Sequence, residues 1–242
     1  YVADMGNNSV RRIALNALAA SCVTSTVAGV RGSPNSTDGN STDARFNSPY
    51  GIAVDSSGSL YVADTANNTI RKVTTPNTSP AVTTIAGSAG YAGVSDGIGS
   101  AARFQSPWGV AVTSAGTLYV ADSNNQTIRI GTAATAPAVT SQPVNATWTI
   151  GTSSSVTFTV AASGSPTPTV QWQRQPAAGG GYSNLTNSGT YSGVTTNTLT
   201  ISGAVLANNG DQFQAVVTNG VSSATSSAAT LTVNQPAAFT SA

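Results

Sequence analysis

The stretch Leu60–Val73, with the sequence LYVADTANNTIRKV, occurs three times along the chain in closely related form. One copy, YVADMGNNSVRRI, starts at Tyr1, and another, LYVADSNNQTIRI, starts at Leu118. The tyrosines of the shared YVAD phrase, Tyr1, Tyr61 and Tyr119, are separated by 60 and 58 residues. In each copy, apolar and β-branched residues flank an Asn-rich turn, which predicts a β-hairpin. Recurrence of one hairpin at a near-constant spacing predicts a repeat protein.

The repeat extends well beyond this hairpin. The segment ARFNSPYGIAVDSSGSLYVAD begins at Ala44 and returns as ARFQSPWGVAVTSAGTLYVAD from Ala102. In the first of these repeats, GIAV and LYVA form two predicted strands around the turn DSSGS, NTIRKV forms a third strand and AVTTIAG a fourth. Four antiparallel strands are the content of one blade of a β-propeller. We expect the blade core to contain the strand isoleucines and valines together with four aromatic residues, Phe46, Tyr61, Phe104 and Trp108.

The combined pattern RF…P.G.AV…G.LYVAD..N..IR resembles the NHL-repeat family of β-propellers. The resemblance covers about residues 1–131 and implies NHL-type blades over residues 1–132. A closed propeller contains about 4–8 blades, whereas this sequence contains two full periods and a fragment that begins inside the YVAD hairpin. We therefore expect an incomplete ring, completed by adjacent modules of a longer chain or by other molecules.

Aspartate and arginine recur with the repeat. Each YVAD phrase ends in an aspartate that an arginine follows seven residues later; the pairs are Asp4 and Arg11, Asp64 and Arg71, and Asp122 and Arg129. Arg45 and Arg103 also match. One interpretation is a ring of ligand-binding or catalytic residues. The other is a structural set, in which aspartate accepts turn N–H groups and arginine binds nearby acceptors. Recurrence in every unit favours the structural interpretation, because a functional site usually breaks a repeat.

The repeat disappears in the second half of the chain. Residues 133–143, AATAPAVTSQP, predict a linker of small residues and prolines. The later segments SVTFTVAASGSPTPTVQWQRQ, TNTLTISG, NNGDQFQAVVTNG and AATLTV resemble an immunoglobulin-like sandwich of bacterial surface proteins, over residues 137–234. Residues 235–242 resemble the start of another linker and predict either a linker or an added strand. The fold class predicted for the whole chain is therefore all-β, with incomplete NHL-type blades followed by a sandwich.

The immunoglobulin resemblance assigns four residues of this sequence to known positions of the family's core. It implies that Trp172 is the buried tryptophan of strand C. Val160 and Ala215 occupy the positions of the inter-sheet cysteines, so that bridge is absent. Phe213 occupies the tyrosine-corner position and lacks the hydroxyl group that would bind the backbone. Packing alone must then hold the predicted sandwich together.

The composition limits the classes of partner. Only 7% of the residues are charged and the net charge is +1, so the chain lacks the positive field that attracts nucleic acid. No apolar run approaches the roughly 18–20 residues of a membrane helix, which predicts no membrane insertion. Abundant Ser, Thr, Asn and Gly among β-branched residues indicate an extracellular, secreted or cell-surface protein. Cys22 is the single cysteine; a buried apolar thiol and an intermolecular bridge are both open interpretations.

The residue types also limit the chemistry. Without histidine, the chain has neither the common catalytic triad nor an imidazole metal ligand. The NHL family includes an amidating lyase that uses metal and histidines, so that activity is not carried over. We predict no catalytic residues, no metal and no cofactor, and we expect the protein not to be an enzyme.

Eight Asn-x-Ser/Thr sequences are candidate glycosylation sites. They are at Asn7, Asn35, Asn40, Asn67, Asn77, Asn125, Asn145 and Asn184. In a chain so rich in these residues, about five would arise by chance.

A side-chain change at a turn position such as Asn68 is expected to have little effect.

Three functions remain open. The first is a structural protein of a surface or filamentous assembly, in which edge strands pair between copies or modules, because few charges protect the sheet edges. The second is an adhesin or binding module whose complete propeller recognises glycan or protein. The third is an enzyme whose active site lies on a further portion of the protein. For the first, the expected assembly contacts are at the two termini: Tyr1, Val2, Ala3, Asp4, Pro236, Ala237 and Phe239.

Overall fold

The computed structural model describes residues 1–15 and 21–236 and divides the chain into two compact units, Tyr1–Ala133 and Ala134–Ala242. The regular structure of both units consists of β-strands and a few single-turn 3-10 helices, which confirms the predicted all-β class. Within the described residues, no helix has the length and apolar character needed to cross a membrane.

The described residues of the first unit form three antiparallel sheets, one for each copy of the repeat. The first blade has the order β1-β2-β3, from β1 (Val2–Asp4), β2 (Ser9–Leu15) and β3 (Cys22–Gly29). The second has the order β4-β8-β7-β6-β5, from β4 (Gly39–Asn40), β5 (Pro49–Val54), β6 (Leu60–Asp64), β7 (Thr69–Thr74) and β8 (Ala81–Gly87). The third has the order β11-β10-β9, from β9 (Pro107–Val112), β10 (Leu118–Asp122) and β11 (Thr127–Gly131).

The second blade contains all four predicted strands, as β5 to β8. The first blade contains the counterparts of β6, β7 and β8, and the third contains the counterparts of β5, β6 and β7. The described strands of the three sheets do not close into a ring, in agreement with the expectation of an incomplete propeller.

Two apolar clusters hold the three blades together. One joins the first blade to the second through Val10, Phe46 and Val73. The other joins the second blade to the third through Ile70, Phe104 and Val120. Tyr61 is buried as well, so three of the four aromatic core predictions are confirmed. The fourth, Trp108, is wrong, because half of its surface is exposed.

The last residue of the IAG and VAG phrases is a glycine for steric reasons. Gly87 has φ +90°, and a Cβ atom there would lie 2.4 Å from the carbonyl oxygen of Asn68. Gly29, at φ +93°, would bring a Cβ within 2.5 Å of the Asn8 carbonyl oxygen. Only glycine tolerates both the backbone angle and this close approach. The repeated glycine therefore lets the outer strand lie tightly on the hairpin.

The second unit is a two-sheet sandwich. One sheet has the order β13-β22-β20-β16-β17, with β21 paired to β20. The other face carries β12-β15 and β14-β19-β18. The strands are β12 (Thr135–Ser141), β13 (Ala146–Thr149), β14 (Val156–Thr159), β15 (Ala161–Ser165), β16 (Thr169–Gln175), β17 (Ser183–Asn184), β18 (Tyr191–Ser192), β19 (Thr198–Ile201), β20 (Gln212–Thr218), β21 (Ser223–Thr225) and β22 (Ala229–Asn234).

The core of the sandwich agrees with the immunoglobulin resemblance. Trp172 on β16 is fully buried, and its indole N–H donates to the Thr196 carbonyl oxygen at 2.9 Å. Phe213 is fully buried and stacks on Phe158, with 5.0 Å between ring centroids. Val160 and Ala215 are buried too, so apolar side chains fill the space of the missing bridge.

Two sequence expectations need correction, one in each unit. Residues 135–141 form β12, which pairs with β15 inside the sandwich, and so most of the predicted 133–143 linker is a strand. Alternating Pro137 and Val139 face inward there, a pattern that the small flanking residues hide in the sequence. The Cys22 side chain is exposed, which contradicts the buried-thiol interpretation. Residues 237–242 of the predicted tail lie outside the described residues.

Candidate functional site

The repeated aspartate and arginine residues lie side by side at the end of each blade hairpin. Asp64 ends β6, and a 3-10 helix, Thr65–Asn67, leads through the left-handed residue Asn68 into β7. Asp64 is opposite Thr69 in the ladder, and Val62 is opposite Arg71. Arg71 is therefore the diagonal neighbour of Asp64 on the same face of the sheet, which explains why the sequence spacing is seven.

Asp64 is completely buried and satisfied by hydrogen bonds. Its Oδ1 accepts the Asn47 N–H at 2.7 Å, and its Oδ2 accepts Asn67 Nδ2 and Arg71 Nη1, both at 2.8 Å. Burial raises the pKa of Asp64, and the hydrogen bonds from Asn47 and Asn67 and the Arg71 guanidinium act in the opposite direction. The carboxylate is thus closed off from any ligand.

Arg71 binds the loop residues on both sides of β4, before β5 of its blade begins. Its guanidinium donates to the carbonyl oxygens of Arg45 and Thr37 at 2.8 and 3.0 Å, and to Asp38 Oδ1 at 2.7 Å. It also lies over the Phe46 ring, 5.1 Å from the centroid. One buried arginine therefore fastens the long loop to the hairpin.

The third blade repeats this arrangement. Arg129 pairs with Asp122 at 3.1 Å, donates to the Arg103 carbonyl oxygen at 3.0 Å and pairs with Asp96. In the first blade Arg11 lies 3.6 Å from Asp4, and both side chains are partly exposed. These repeated contacts support the structural interpretation of the aspartate and arginine pattern. Arg45 and Arg103 bind only backbone carbonyl groups of their own loops among the hydrogen bonds of the described residues.

A link between successive repeats was missed in the sequence. Asn68 is left-handed, with φ 56°, and its Oδ1 accepts the Ser106 N–H of the next repeat at 2.8 Å. Asn8 binds the Ser48 N–H in the same way at 2.8 Å. The expectation that a change at Asn68 has little effect therefore conflicts with the structure. The sequence signal for this link is the second Asn of the NN pair, which is also a common turn residue.

The eight glycosylation candidates fall into two groups. Asn7, Asn67 and Asn125 end the 3-10 helices, and the side-chain nitrogen of each donates to the aspartate of its own blade. Asn67 is also buried, so its nitrogen is not presented to an enzyme by the folded blade. The other five are exposed and stay predictions: Asn35, Asn40, Asn77, Asn145 and Asn184.

The terminal assembly candidates are distributed differently. Tyr1 and Val2 are exposed, Ala3 and Asp4 are half-buried, and Pro236 is exposed. The Tyr1 hydroxyl donates to Asn77 Oδ1 at 2.6 Å. Ala237 and Phe239 lie outside the described residues. Val2, Ala3 and Asp4 form β1, the edge strand of its sheet, and Tyr1 directly precedes it.

An exposed aromatic pair lies on β5 of the second blade and β9 of the third. Tyr50 on β5 and Trp108 on β9 are 52% and 50% exposed, and their rings stack with 5.1 Å between centroids and 18° between planes. Gly51 permits this approach, because a Cβ there would lie 2.4 Å from the Trp108 carbonyl oxygen. A stacked pair that remains half in solvent offers a flat apolar surface to a ligand. The signal for this pair was an aromatic residue between Pro and Gly in both repeats.

A groove lies on the outer part of the boundary between the second and third blades. Its volume is about 650 Å³, and its lining includes Ile70, Phe104, Leu118, Val120, Arg129 and Gly131. Within residues 1–15 and 21–236, no cluster of three Asp or Cys side chains forms a metal-ligand set. The polar side chains that line the groove are those of Asp96, Asn125, Thr127 and Arg129.

Known protein families match both units. The description "NHL repeat" matches residues 46–73 and 104–130, and "Immunoglobulin I-set domain" matches residues 137–233. The chain contains NHL repeats followed by an immunoglobulin-like domain. The parallel pairing of β13 with β22 in the sandwich agrees with this assignment. This combination of NHL blades and an immunoglobulin-like domain is that of a binding or structural module.

Two curated proteins share segments with this NHL and immunoglobulin-like chain. Endoglucanase C of Cellulomonas fimi is 42% identical over 103 residues, which is 43% of this chain. Protein SUPPRESSOR OF QUENCHING 1, chloroplastic, of Arabidopsis thaliana is 36% identical over 92 residues, which is 38% of this chain. The chain spans only 8% of the length of each of these relatives.

Solved structures are similar to parts of the chain. An auxiliary nutrient binding protein from Bacteroides thetaiotaomicron is 25% identical over 52% of this chain and 33% of its own, with a TM-score of 0.46. The tandem Ig repeats of Dlar are 16% identical over 78% of this chain and 95% of their own, with a TM-score of 0.36.

Proposed function

We propose that this chain is a non-enzymatic, extracellular structural protein whose NHL blades assemble with other blades. The partners are other copies of the chain or adjacent modules of a longer one. Low charge and abundant Ser, Thr and Asn support the extracellular setting. The observation that carries the proposal is the exposure of apolar blade faces that are buried wherever two blades meet.

The trailing face of a blade is defined here as the face toward the next blade in sequence. Val10 and Ile70 occupy the same position on the trailing faces of the first and second blades, and both are buried. Their counterpart on the third blade, Ile128, is 66% exposed, against 1% for Ile70. The third blade thus presents the same apolar position without a cover.

The leading face is the opposite one, toward the preceding blade. Val62 and Val73 on the leading face of the second blade are fully buried. Their counterparts on the first blade, Val2 and Ile13, are both exposed. The two exposed faces of the unit are therefore one trailing and one leading face. A trailing face and a leading face already meet twice within the unit, at the two boundaries between blades. If the two exposed faces meet in the same way between molecules, further apolar surface is removed from water.

The proposal is tested with Ile128→Asp, since a charge on the trailing face opposes burial and an exposed site tolerates it in the single molecule. We expect sedimentation velocity to show concentration-dependent association of the parent chain and its loss in the variant. Val144→Asp is the matched control, because Val144 is 73% exposed, close to the 66% of Ile128, but lies in the other unit. A parent chain that stays monomeric at high concentration, or equal association of all three proteins, contradicts the proposal.

A second candidate function is a binding module that recognises glycan, and the Tyr50–Trp108 stack favours it. Sugar rings pack on exposed aromatic faces through their C–H groups. A glycan array probed with the parent and with Trp108→Ala is the direct test. Tyr119→Ala is the control, because Tyr119 is exposed and forms no aromatic stack among the described residues. Array signals that survive Trp108→Ala would exclude this stack as the binding surface.

A further inference from the structure

The groove between the second and third blades occupies the place of an absent strand. In the second blade β8 pairs with β7, with Val82 opposite Val73. Both valines are buried against Phe46, Leu60 and the first blade. In the third blade β11 is the edge strand, and the counterpart of Val73 is Gly131. The lining residues Phe104 and Leu118 are the counterparts of Phe46 and Leu60, so the groove is the space that the side chains of a fourth strand would fill.

The polar contacts at the same place are also incomplete. In the second blade Thr84 of β8 donates its N–H to Asp38 Oδ2 at 3.0 Å and its hydroxyl to Asp38 Oδ1 at 2.9 Å. The third-blade counterpart of Asp38 is Asp96, which pairs with Arg129. Its side chain is 94% exposed, compared with 47% for Asp38. Asp96 therefore has acceptor positions available where a strand hydroxyl group would arrive.

A segment with the required residues occurs once more in the sequence. Residues 80–84 are Pro-Ala-Val-Thr-Thr, and residues 137–141 are Pro-Ala-Val-Thr-Ser. Val139 thus corresponds to Val82, and Ser141 supplies the hydroxyl group of Thr84. The spacing of 57 residues is close to the repeat period. In the structure the second segment is part of β12, as the first is largely part of β8, so both segments form extended strands.

We propose that the groove is a strand-addition site for an extended segment of the type Pro-Ala-Val-Thr-Ser/Thr, donated as residues 137–141 by a second copy of this chain, whose β12 exchanges its pairing with β15 for a pairing with β11. The backbone of the added strand pairs with the open edge of β11. Its valine enters the groove beside Phe104 and Leu118, and its terminal hydroxyl group donates to Asp96. This inference rests on the proposed function, since it names the segment through which copies associate.

A synthetic peptide with the sequence of residues 79–87, SPAVTTIAG, tests the groove directly. Fluorescence anisotropy of the labelled peptide is expected to show saturable binding to the full chain. A peptide with Val82→Asp is expected to lose binding, because the charge would enter the apolar groove. A peptide with Thr83→Asp is the matched control, because Thr83 is exposed in β8. In the protein, Asp96→Ala is expected to weaken binding about tenfold, through one lost charge-assisted hydrogen bond.

The donor is tested by competition. Excess peptide is expected to dissociate the complexes that the parent chain forms in sedimentation velocity, and the Val82→Asp peptide is expected to leave them intact. Absence of saturable binding up to about 1 mM, or equal binding of the Val82→Asp peptide, overturns the strand-addition site. If the chain still associates when either of these results is found, the proposed function stands and only the strand-addition site is overturned. Peptide binding that leaves association unchanged overturns the second copy as donor. A chain that does not associate at all overturns both the donor and the proposed function.

Discussion

Asp64 Oδ2 lies 2.8 Å from Arg71 Nη1, and both side chains are fully buried. An ion pair removed from water stabilises a fold only when further hydrogen bonds satisfy both ions. The Asn47 N–H and the Asn67 side chain donate the other hydrogen bonds to the carboxylate. Two backbone carbonyl groups and Asp38 accept most of the remaining hydrogen bonds of the guanidinium. The pair therefore holds the loop before β5 against the hairpin.

Arg71→Ala leaves the Asp64 charge buried without its partner. We expect a loss of about 3–5 kcal/mol in the free energy of unfolding. Arg11→Ala removes the equivalent, partly exposed pair of the first blade and is expected to cost no more than about 1 kcal/mol. Urea denaturation of the three proteins measures the difference. Equal losses in the two variants would show that burial of the pair contributes nothing.

Asp55 provides a prediction about pH. The Ser57 hydroxyl, with the Ser59 and Ser57 N–H groups and the Tyr61 hydroxyl, holds the pKa of Asp55 below its usual value despite partial burial. A carboxyl group whose folded pKa is lowered adds stability above its unfolded pKa and loses it as the pH falls through the folded value. Asp55→Asn is therefore expected to be less stable than the parent at pH 7, and the difference is expected to shrink below about pH 3.9.

The measurement for Asp55 is the urea midpoint at pH 7 and again under acidic conditions. Asp43→Asn is the control, since Asp43 is an exposed aspartate whose carboxylate makes no hydrogen bond or ion pair among the described residues. A difference between Asp55→Asn and the parent that stays constant across this pH range would mean that the carboxylate charge is not what the DSSGS turn requires.

Gly87→Ala tests the close contact between the outer strand and the hairpin. The new Cβ would meet the Asn68 carbonyl oxygen at 2.4 Å in a left-handed backbone. We expect a loss of about 1–3 kcal/mol. Gly6→Ala is the control, because no atom lies within 4 Å of a Cβ at that position. Thermal unfolding followed by circular dichroism compares them, and an unchanged melting temperature for Gly87→Ala would contradict the geometry.

Trp172→Ala tests the core of the immunoglobulin-like domain. Removal of this fully buried side chain is expected to cost about 3–5 kcal/mol. Trp108→Ala, at a half-exposed tryptophan that stacks on Tyr50, is expected to cost only about 1 kcal/mol. Guanidinium denaturation followed by far-ultraviolet circular dichroism gives both values. Unfolding of Trp172→Ala at the midpoint of the parent would show that the strand C assignment is wrong.

Residue patterns along the chain were sufficient for the blades. Alternation in LYVAD and TIRKV predicted the hairpin, because this feature depends on neighbours a few residues away. The repeated Phe46 and Phe104 predicted core positions of the blades, although not the contacts between blades that they make. Trp172 was likewise recognisable from its resemblance to strand C. The same reasoning failed at Trp108 and Cys22, since apolar residues on a strand look alike whether their face is covered or open.

The amino-acid sequence by itself determined the repeat, its strands, the recurrence of aspartate and arginine seven residues apart and the change to a sandwich after the third hairpin. Tertiary structure alone decided which strand edge each segment would meet. Pro80–Thr83 and Pro137–Thr140 have the same four residues, yet the first lies largely in an NHL blade strand and the second in the sandwich. The physical reason is that side-chain alternation specifies an extended strand, whereas its partner is fixed by the edge that offers unpaired backbone groups and space for its valine.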